Sequence, residues 1–169
     1  MTASHDAAVV ERARRIRLAV FDCDGVFTDG RLWLGDDGHE YKAFHVHDGH
    51  GIKRLLAAGV IVAVISGRRS DAVTKRIREL GIAHLVEGCE DKLAALRTLQ
   101  KQLGIGDAET ACVGDDFPDH ALLATAGLAI AVANATSALD DVAHWRTCAA
   151  GGAGAVREVC DLLLAARSD

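Results

Sequence analysis

Short apolar runs alternate with amphipathic stretches along this chain, and each run stops at a small cluster of polar residues and glycine. The runs predict strands over 17–23, 60–65, a short segment near 84–86, 110–113 and 128–132, with Val60-Ile-Val-Ala-Val-Ile65 apolar throughout. Periodic segments between them predict helices over 49–58, 70–80, 91–103, 118–126, 136–142 and 154–166. The sole proline, Pro118, sits where a helix could start, a position that needs no backbone N–H. Between the first strand and the first of these helices, Arg31-Leu-Trp-Leu34 and Glu40 to Val46 flank a turn at Gly35-Asp-Asp-Gly38, which predicts a β-hairpin. Strand and helix patterns in alternation give an α/β class, with no linker and no internal repeat.

Composition narrows the setting. At 169 residues the chain can bury about 70% of its unfolded surface, so a single domain over 1–169 is expected, with 1–16 as an N-terminal extension and 151–169 as a tail carrying the last helix. Residues 1 to 10 are expected to be loosely held. A net charge of −5, with no basic stripe and no interleaved aromatics, speaks against nucleic acid. No apolar run has signal-peptide or membrane-spanning length, so a membrane is not expected as a partner. Five cysteines without a CxxC pair read as reduced core residues of a cytoplasmic protein.

Chemistry concentrates where the strands end. Asp22 and Asp24 lie two apart at the end of the first strand, where their side chains share one side and repel each other unless a divalent cation intervenes. As a pair they suit phosphoryl chemistry, one attacking phosphorus and the other handling protons, although Asp and Gly in a turn are also ordinary turn formers. Ser66 and Gly67 end the 60–65 run and offer a hydroxyl and free N–H groups at a helix start. Lys92 opens a later helix, and Gly114-Asp115-Asp116-Phe117-Pro118-Asp119 follows the 110–113 strand. In an open parallel sheet the carboxyl ends of the strands share one rim, so these loops can meet. Taken singly, Ser66 reads equally well as a helix cap and Lys92 as a solvated helix residue. Eight histidines, His45 and His47 foremost on one face of the predicted strand, invite a zinc reading, but no cysteine or acid completes a tetrahedral set.

In order and spacing, Asp22-x-Asp24, Ser66, Lys92 and Gly114-Asp115-x-x-x-Asp119 resemble the four motifs of the haloacid dehalogenase-like hydrolases. Within that superfamily, Asp24-Gly-Val-Phe-Thr-Asp-Gly30, Lys42-Ala-Phe-His-Val-His-Asp-Gly-His-Gly-Ile52, Ile65-Ser-Gly-Arg68 and the Gly151-Gly-Ala-Gly tail are similar to the 3-deoxy-D-manno-octulosonate 8-phosphate phosphatases. The likeness runs from about Arg17 to Leu164. It implies a Rossmann-like three-layer sandwich with a central parallel sheet, a protruding hairpin and no cap domain. The 43 residues between Asp22 and Ser66 agree, because hairpin, helix and strand consume them.

The resemblance also implies roles. Asp22 is the nucleophile and Asp24 the acid and base; magnesium is held by Asp22, the Asp24 backbone carbonyl and Asp115, with Asp116 or Asp119 in support. Ser66, Gly67 and Lys92 bind the phosphoryl group, and His47 and Asp48 lie at the substrate rim. The family is homotetrameric and acts on a small phosphorylated sugar acid. Two arginines usual in it are replaced here by His47 and Ala153, which leaves a nine-carbon sialic-type 9-phosphate as an alternative substrate. Two readings from other classes are a phosphoacceptor receiver domain, against which the motif order speaks, and a catalytically silent oligomeric module.

Overall fold

The computed structural model describes residues 6–167, and the first five residues of the expected loose N-terminus lie outside them. Strands β1 (Leu18–Phe21), β4 (Ile61–Ile65), β5 (His84–Val86), β6 (Thr110–Gly114), β7 (Leu128–Ala131) and β8 (Trp145–Arg146) form one parallel sheet in the order β5-β4-β1-β6-β7-β8. Strands β2 (Trp33–Leu34) and β3 (Glu40–Tyr41) form the separate antiparallel hairpin. The helices are α1 (Ala7–Arg14), α2 (Val46–Ala57), α3 (Asp71–Leu80), α4 (Lys92–Leu103), α5 (His120–Thr125) and α6 (Ala155–Ala165). This is the expected Rossmann-like sandwich, with a hairpin and no cap domain between β1 and α2.

Strand alternation sorts the core into two layers. Ala19, Phe21, Val62, Val64, Ala111 and Val113 pack under α1, α2, α3 and α6, whereas Leu18, Val20, Ala63, Ile65 and Cys112 pack under α4 and α5. Being covered on both faces, the strands read as continuous apolar runs. The chain leaves β1 toward β4 on one side and later returns to β6 on the other, so the topological switch point lies at the carboxyl end of β1.

Four local expectations are corrected. Residues 7–14 are helical: Asp6 caps α1 by accepting from Ala8 N–H at 2.8 Å, Val9 and Ala13 are buried, and Arg12 donates to the Gly127 carbonyl at 2.7 Å. Strand β3 stops at Tyr41 and α2 begins at Val46, so His45 is the residue just before a helix and His47 lies in its first turn rather than both on a strand. Gly49 and Gly51 depress helix propensity, but here they let Arg76 and Arg157 approach: a Cβ would stand 2.3 Å from Arg76 Nη2 and 2.9 Å from Arg157 Cδ. The predicted helix 136–142 shrinks to a single 3₁₀ turn, Ser137–Leu139, followed by β8, whose two residues are too few to show alternation. Finally, the cysteines are all free, but Cys148 is exposed and Cys89 half-buried rather than core.

Candidate active site

The site begins with the turn after β1. Cys23 C=O accepts from Phe27 N–H at 2.9 Å, and the Thr28 hydroxyl oxygen accepts from the N–H groups of Gly25 and Gly30, closing a compact loop that leaves Asp22 and Asp24 at its mouth. Gly25 has φ +91°, and a Cβ there would stand 2.0 Å from Asp115 Oδ2, so only glycine serves. The glycine-rich tail closes on the same loop. A Cβ on Gly151 would stand 1.7 Å from the Gly25 carbonyl oxygen, while Gly152 N–H donates to Val26 C=O at 3.0 Å.

Three strand ends and the start of a helix deliver the rest. Asp22, from β1, is buried, and its N–H donates to Val113 C=O on β6 at 2.9 Å. Ser66, after β4, is buried and its N–H donates to Val86 C=O at 2.8 Å. Asp115 follows β6, and Asp119 closes the 3₁₀ turn Phe117–Asp119, with its Oδ2 accepting from Asp115 N–H at 3.1 Å. Lys92 is the first residue of α4, whose cap Asp91 accepts from Ala94 N–H at 2.9 Å. From there Lys92 Nζ donates to Asp22 Oδ1 and to Asp119 Oδ1, each at 2.6 Å. Asp22, Asp24, Ser66, Gly67, Lys92, Asp115, Asp116 and Asp119 line one crevice of about 200 Å³, so eight of the ten residues expected from sequence meet.

Charge in this crevice is unbalanced. Burial first, and the neighbouring Asp119 second, push the Asp22 carboxyl up to about 6 against the pull of Lys92. Asp115 rises to about 7 from burial and from repulsion by Asp22 and Asp119. Burial opposes the charge on Lys92, yet Asp22 and Asp119 outweigh it and lift the amine to about 12. One ammonium against three acids leaves negative charge for a cation to neutralise. Carboxylate oxygens of Asp22, Asp115 and Asp119 lie within 4.8 Å of one another and are, among the described residues, the one group of acids, histidines or cysteines placed to hold a metal. An all-oxygen set suits magnesium better than zinc, and no histidine joins it. Asp119, expected in support, thus belongs to the cluster, whereas the Asp24 carboxylate does not; the contribution expected of Asp24 was its backbone carbonyl. Asp116 is exposed, and its Oδ1 accepts from Phe117 N–H at 2.7 Å and from the Thr136 hydroxyl at 2.9 Å, a capping role.

His47 and Asp48 stand apart from the crevice. His47 is exposed, with its ring centroid 5.0 Å from that of His45. Asp48 is buried, and its Oδ1 accepts from Arg157 N–H at 2.8 Å in the first turn of α6, so it caps that helix from α2. Burial raises its pKa even though the N–H groups of Arg157 and Gly154 pull the other way. Two residues beside the crevice, Glu40 and Lys42, were not singled out from sequence, whereas Arg68, one of several arginines that could supply charge to a substrate, lines it. Lys42 donates to Asp24 Oδ1, and Arg68 Nη2 to Glu40 Oε2 at 2.7 Å. A signal was present, since Glu40 and Lys42 flank Tyr41 and a strand sends such a pair to one side.

Residues 83–156 match the model of the haloacid dehalogenase-like hydrolases. The 3-deoxy-D-manno-octulosonate 8-phosphate phosphatase of Escherichia coli K12 is 45% identical over 161 residues, covering 95% of this chain and 86% of the relative. The chain belongs to the octulosonate phosphatase family of haloacid dehalogenase-like hydrolases. The crystal structure of a probable YrbI family phosphatase from Pseudomonas syringae pv. phaseolica has a TM-score of 0.94 and 48% identity, covering 96% of this chain and 92% of its own. That of the octulosonate 8-phosphate phosphatase from Moraxella catarrhalis, solved with magnesium, phosphate and the sugar acid, gives 0.95 and 42%, covering 97% and 94%. Both structures share the fold of this chain over nearly its whole length, and no described helix of this chain is long and apolar enough to cross a membrane.

Proposed function

We propose that the protein is a magnesium-dependent phosphomonoesterase that hydrolyses 3-deoxy-D-manno-octulosonate 8-phosphate to the free keto sugar acid and phosphate. The observation that carries the chemistry is the Lys92 bridge between Asp22 and Asp119 beside Asp115, because it fixes a nucleophile inside a ready cation cluster. The relatives named above carry the substrate. Lys92 occupies Asp22 Oδ1 and leaves Oδ2 to attack phosphorus in line, forming an aspartyl-phosphate as the bond to the sugar oxygen breaks. Ser66 Oγ and the Gly67 N–H hold phosphoryl oxygens, with Lys92 offsetting their charge. Asp24 gives the leaving oxygen its proton, then takes one from the water that cleaves the acyl phosphate and regenerates Asp22. Magnesium, when held by Asp22, Asp115 and Asp119, supplies neutralisation of the charge between carboxylate and phosphate.

A single cytoplasmic domain assembled as a homotetramer completes the proposal. Its support is the hairpin, which presents Trp33 at 59% and Leu34 at 73% exposure, an unusual display for a two-stranded element with no core of its own. His47 and Ala153, standing where arginines are usual, favour a second reading in which the sugar acid has nine carbons. Phosphate release from the octulosonate 8-phosphate and a nine-carbon keto-acid 9-phosphate, with and without magnesium, tests both. Magnesium-dependent preference for the first is expected; preference for the second selects the other sugar, and release from neither overturns the proposal.

A further inference from the structure

The side chain of Lys42, which follows β3 directly, is fully buried at 0% exposure, and its ammonium donates to Asp24 Oδ1. Lysine is almost never buried without a task or a partner. Its second neighbour is Glu40 Oε1 at 3.4 Å, and Glu40 Oε2 in turn accepts from Arg68 Nη2 at 2.7 Å. Arg68 returns to the starting point, with its Nε 3.9 Å from Asp24 Oδ2. The hairpin, the turn after β1 and the loop after β4 are therefore tied by one ring of four charges that includes Asp24. Tyr41, between Glu40 and Lys42, is exposed on the opposite side of the strand.

We infer that Lys42 is a positioning residue for the reaction: by holding Asp24 Oδ1 it aims Oδ2 into the crevice, where the leaving oxygen of the substrate must collect its proton. The inference rests on the phosphatase reading and deepens it. An aspartate side chain turns about two bonds, and the torsion of its carboxylate is broad, so without an anchor neither oxygen is held at one position. A buried ammonium removes that freedom. Glu40 keeps the ammonium from turning away, and it does so from the same short strand that exposes Tyr41. Misplacement of a catalytic group by about 1 Å costs on the order of 100-fold in rate, and proton transfer to the leaving group contributes about 10²–10⁴-fold.

Leaving-group dependence separates this role from a merely structural one. An alkyl ester such as the octulosonate 8-phosphate needs its departing oxygen protonated, whereas p-nitrophenolate leaves without a proton. The parameter kcat/KM reports the steps up to departure of the leaving group, which keeps later hydrolysis of the aspartyl-phosphate out of the comparison. Lys42→Met should lower kcat/KM for the alkyl ester by about 100-fold and for p-nitrophenyl phosphate by less than about threefold. Lys42→Arg, which keeps the cation, should recover the alkyl ester to within about tenfold of wild type. In an Asp24→Asn background, Lys42→Met should leave the ratio of the two esters unchanged, because its effect passes through Asp24. If Lys42→Met does not fold, Lys42→Gln is read in the same way. Equal losses on both esters, or a further alkyl loss in the Asp24→Asn background, overturn the inference while leaving the phosphatase reading intact. A wild type that cleaves neither ester refutes that reading and this inference together.

Discussion

The crevice at the carboxyl ends of the strands and the hairpin that overhangs it are built on opposite terms. At the base of the crevice charged groups are buried against one another: Lys92, Asp22 and Asp119 have side chains only 7%, 7% and 2% exposed, and each is held by a strand or helix end. The hairpin has two paired residues per strand and displays Trp33, Leu34 and Tyr41 to solvent. The first region is packed within one chain, whereas among the described residues Trp33, Leu34 and Tyr41 join neither core cluster. On the proposed reading the chemistry gathers at the crevice and at the charged side of the hairpin, and subunit contact at the hairpin's apolar side, so the two should fail separately.

The sharpest break in the crevice is Asp22→Asn. Loss of the nucleophile should lower turnover by at least about 10⁴-fold. The melting midpoint should hold or rise, because one of three mutually repelling carboxylates is removed while the side-chain oxygen of asparagine still accepts from Lys92. Phosphate release and thermal melting on the same preparation check both halves. Retained turnover would move the nucleophile elsewhere.

Next in size is Lys92→Met, which strips the cation from two buried carboxylates. Breaking a buried pair costs about 3–5 kcal/mol, so the metal-free variant should melt well below wild type. Saturating magnesium should return part of that loss by binding the folded state. A midpoint unmoved in either condition would show that the bridge does not hold the site together.

A smaller effect tests the charge imbalance directly. Asp22 and Asp115 have folded-state pKa values raised to about 6 and about 7 from an ordinary 3.8, so between roughly pH 4 and pH 7 the folded chain binds more protons than the unfolded one. Metal-free stability should therefore fall as pH rises through that window. Magnesium should flatten the slope. Melting curves from pH 4 to 8 with a chelator and with magnesium decide it, and a metal-free slope of the opposite sign would remove the case for three crowded acids.

These two regions were also unequally legible in the sequence. Asp22, Ser66, Lys92 and Asp115 each stand where an apolar run or a helix begins or ends, so local pattern places them and parallel topology brings them together. Lys42 carries no such mark. Its meaning depends on where the hairpin folds, which is set by contacts over 18 residues of sequence rather than by periodicity. Asp48 misled for a related reason: it sits among His47, Gly49 and other residues that look like a binding loop, yet its partner is a backbone N–H 109 residues away on α6. Helix α1 and strand β8 were missed because their stability comes from packing at the sheet's edge and face, through Arg12 on Gly127 and His144 on Ala129, not from their own propensity.

The hairpin supplies the mildest perturbation of the folded chain and the most informative one about recognition. Trp33→Ser combined with Leu34→Ser removes two exposed apolar side chains that touch no core cluster, so the intrinsic stability of one subunit should change by less than about 0.5 kcal/mol. If that face joins subunits, sedimentation should shift the variant from a tetramer toward smaller species. A neighbour that helps to close the sugar site would then be lost as well. KM for the octulosonate 8-phosphate should rise about tenfold or more, while kcat/KM for p-nitrophenyl phosphate, which uses the crevice alone, should stay within about threefold. A dissociated variant that keeps its KM for the sugar ester would show that the crevice of one chain recognises the substrate by itself, and the division between the two regions would have to be redrawn.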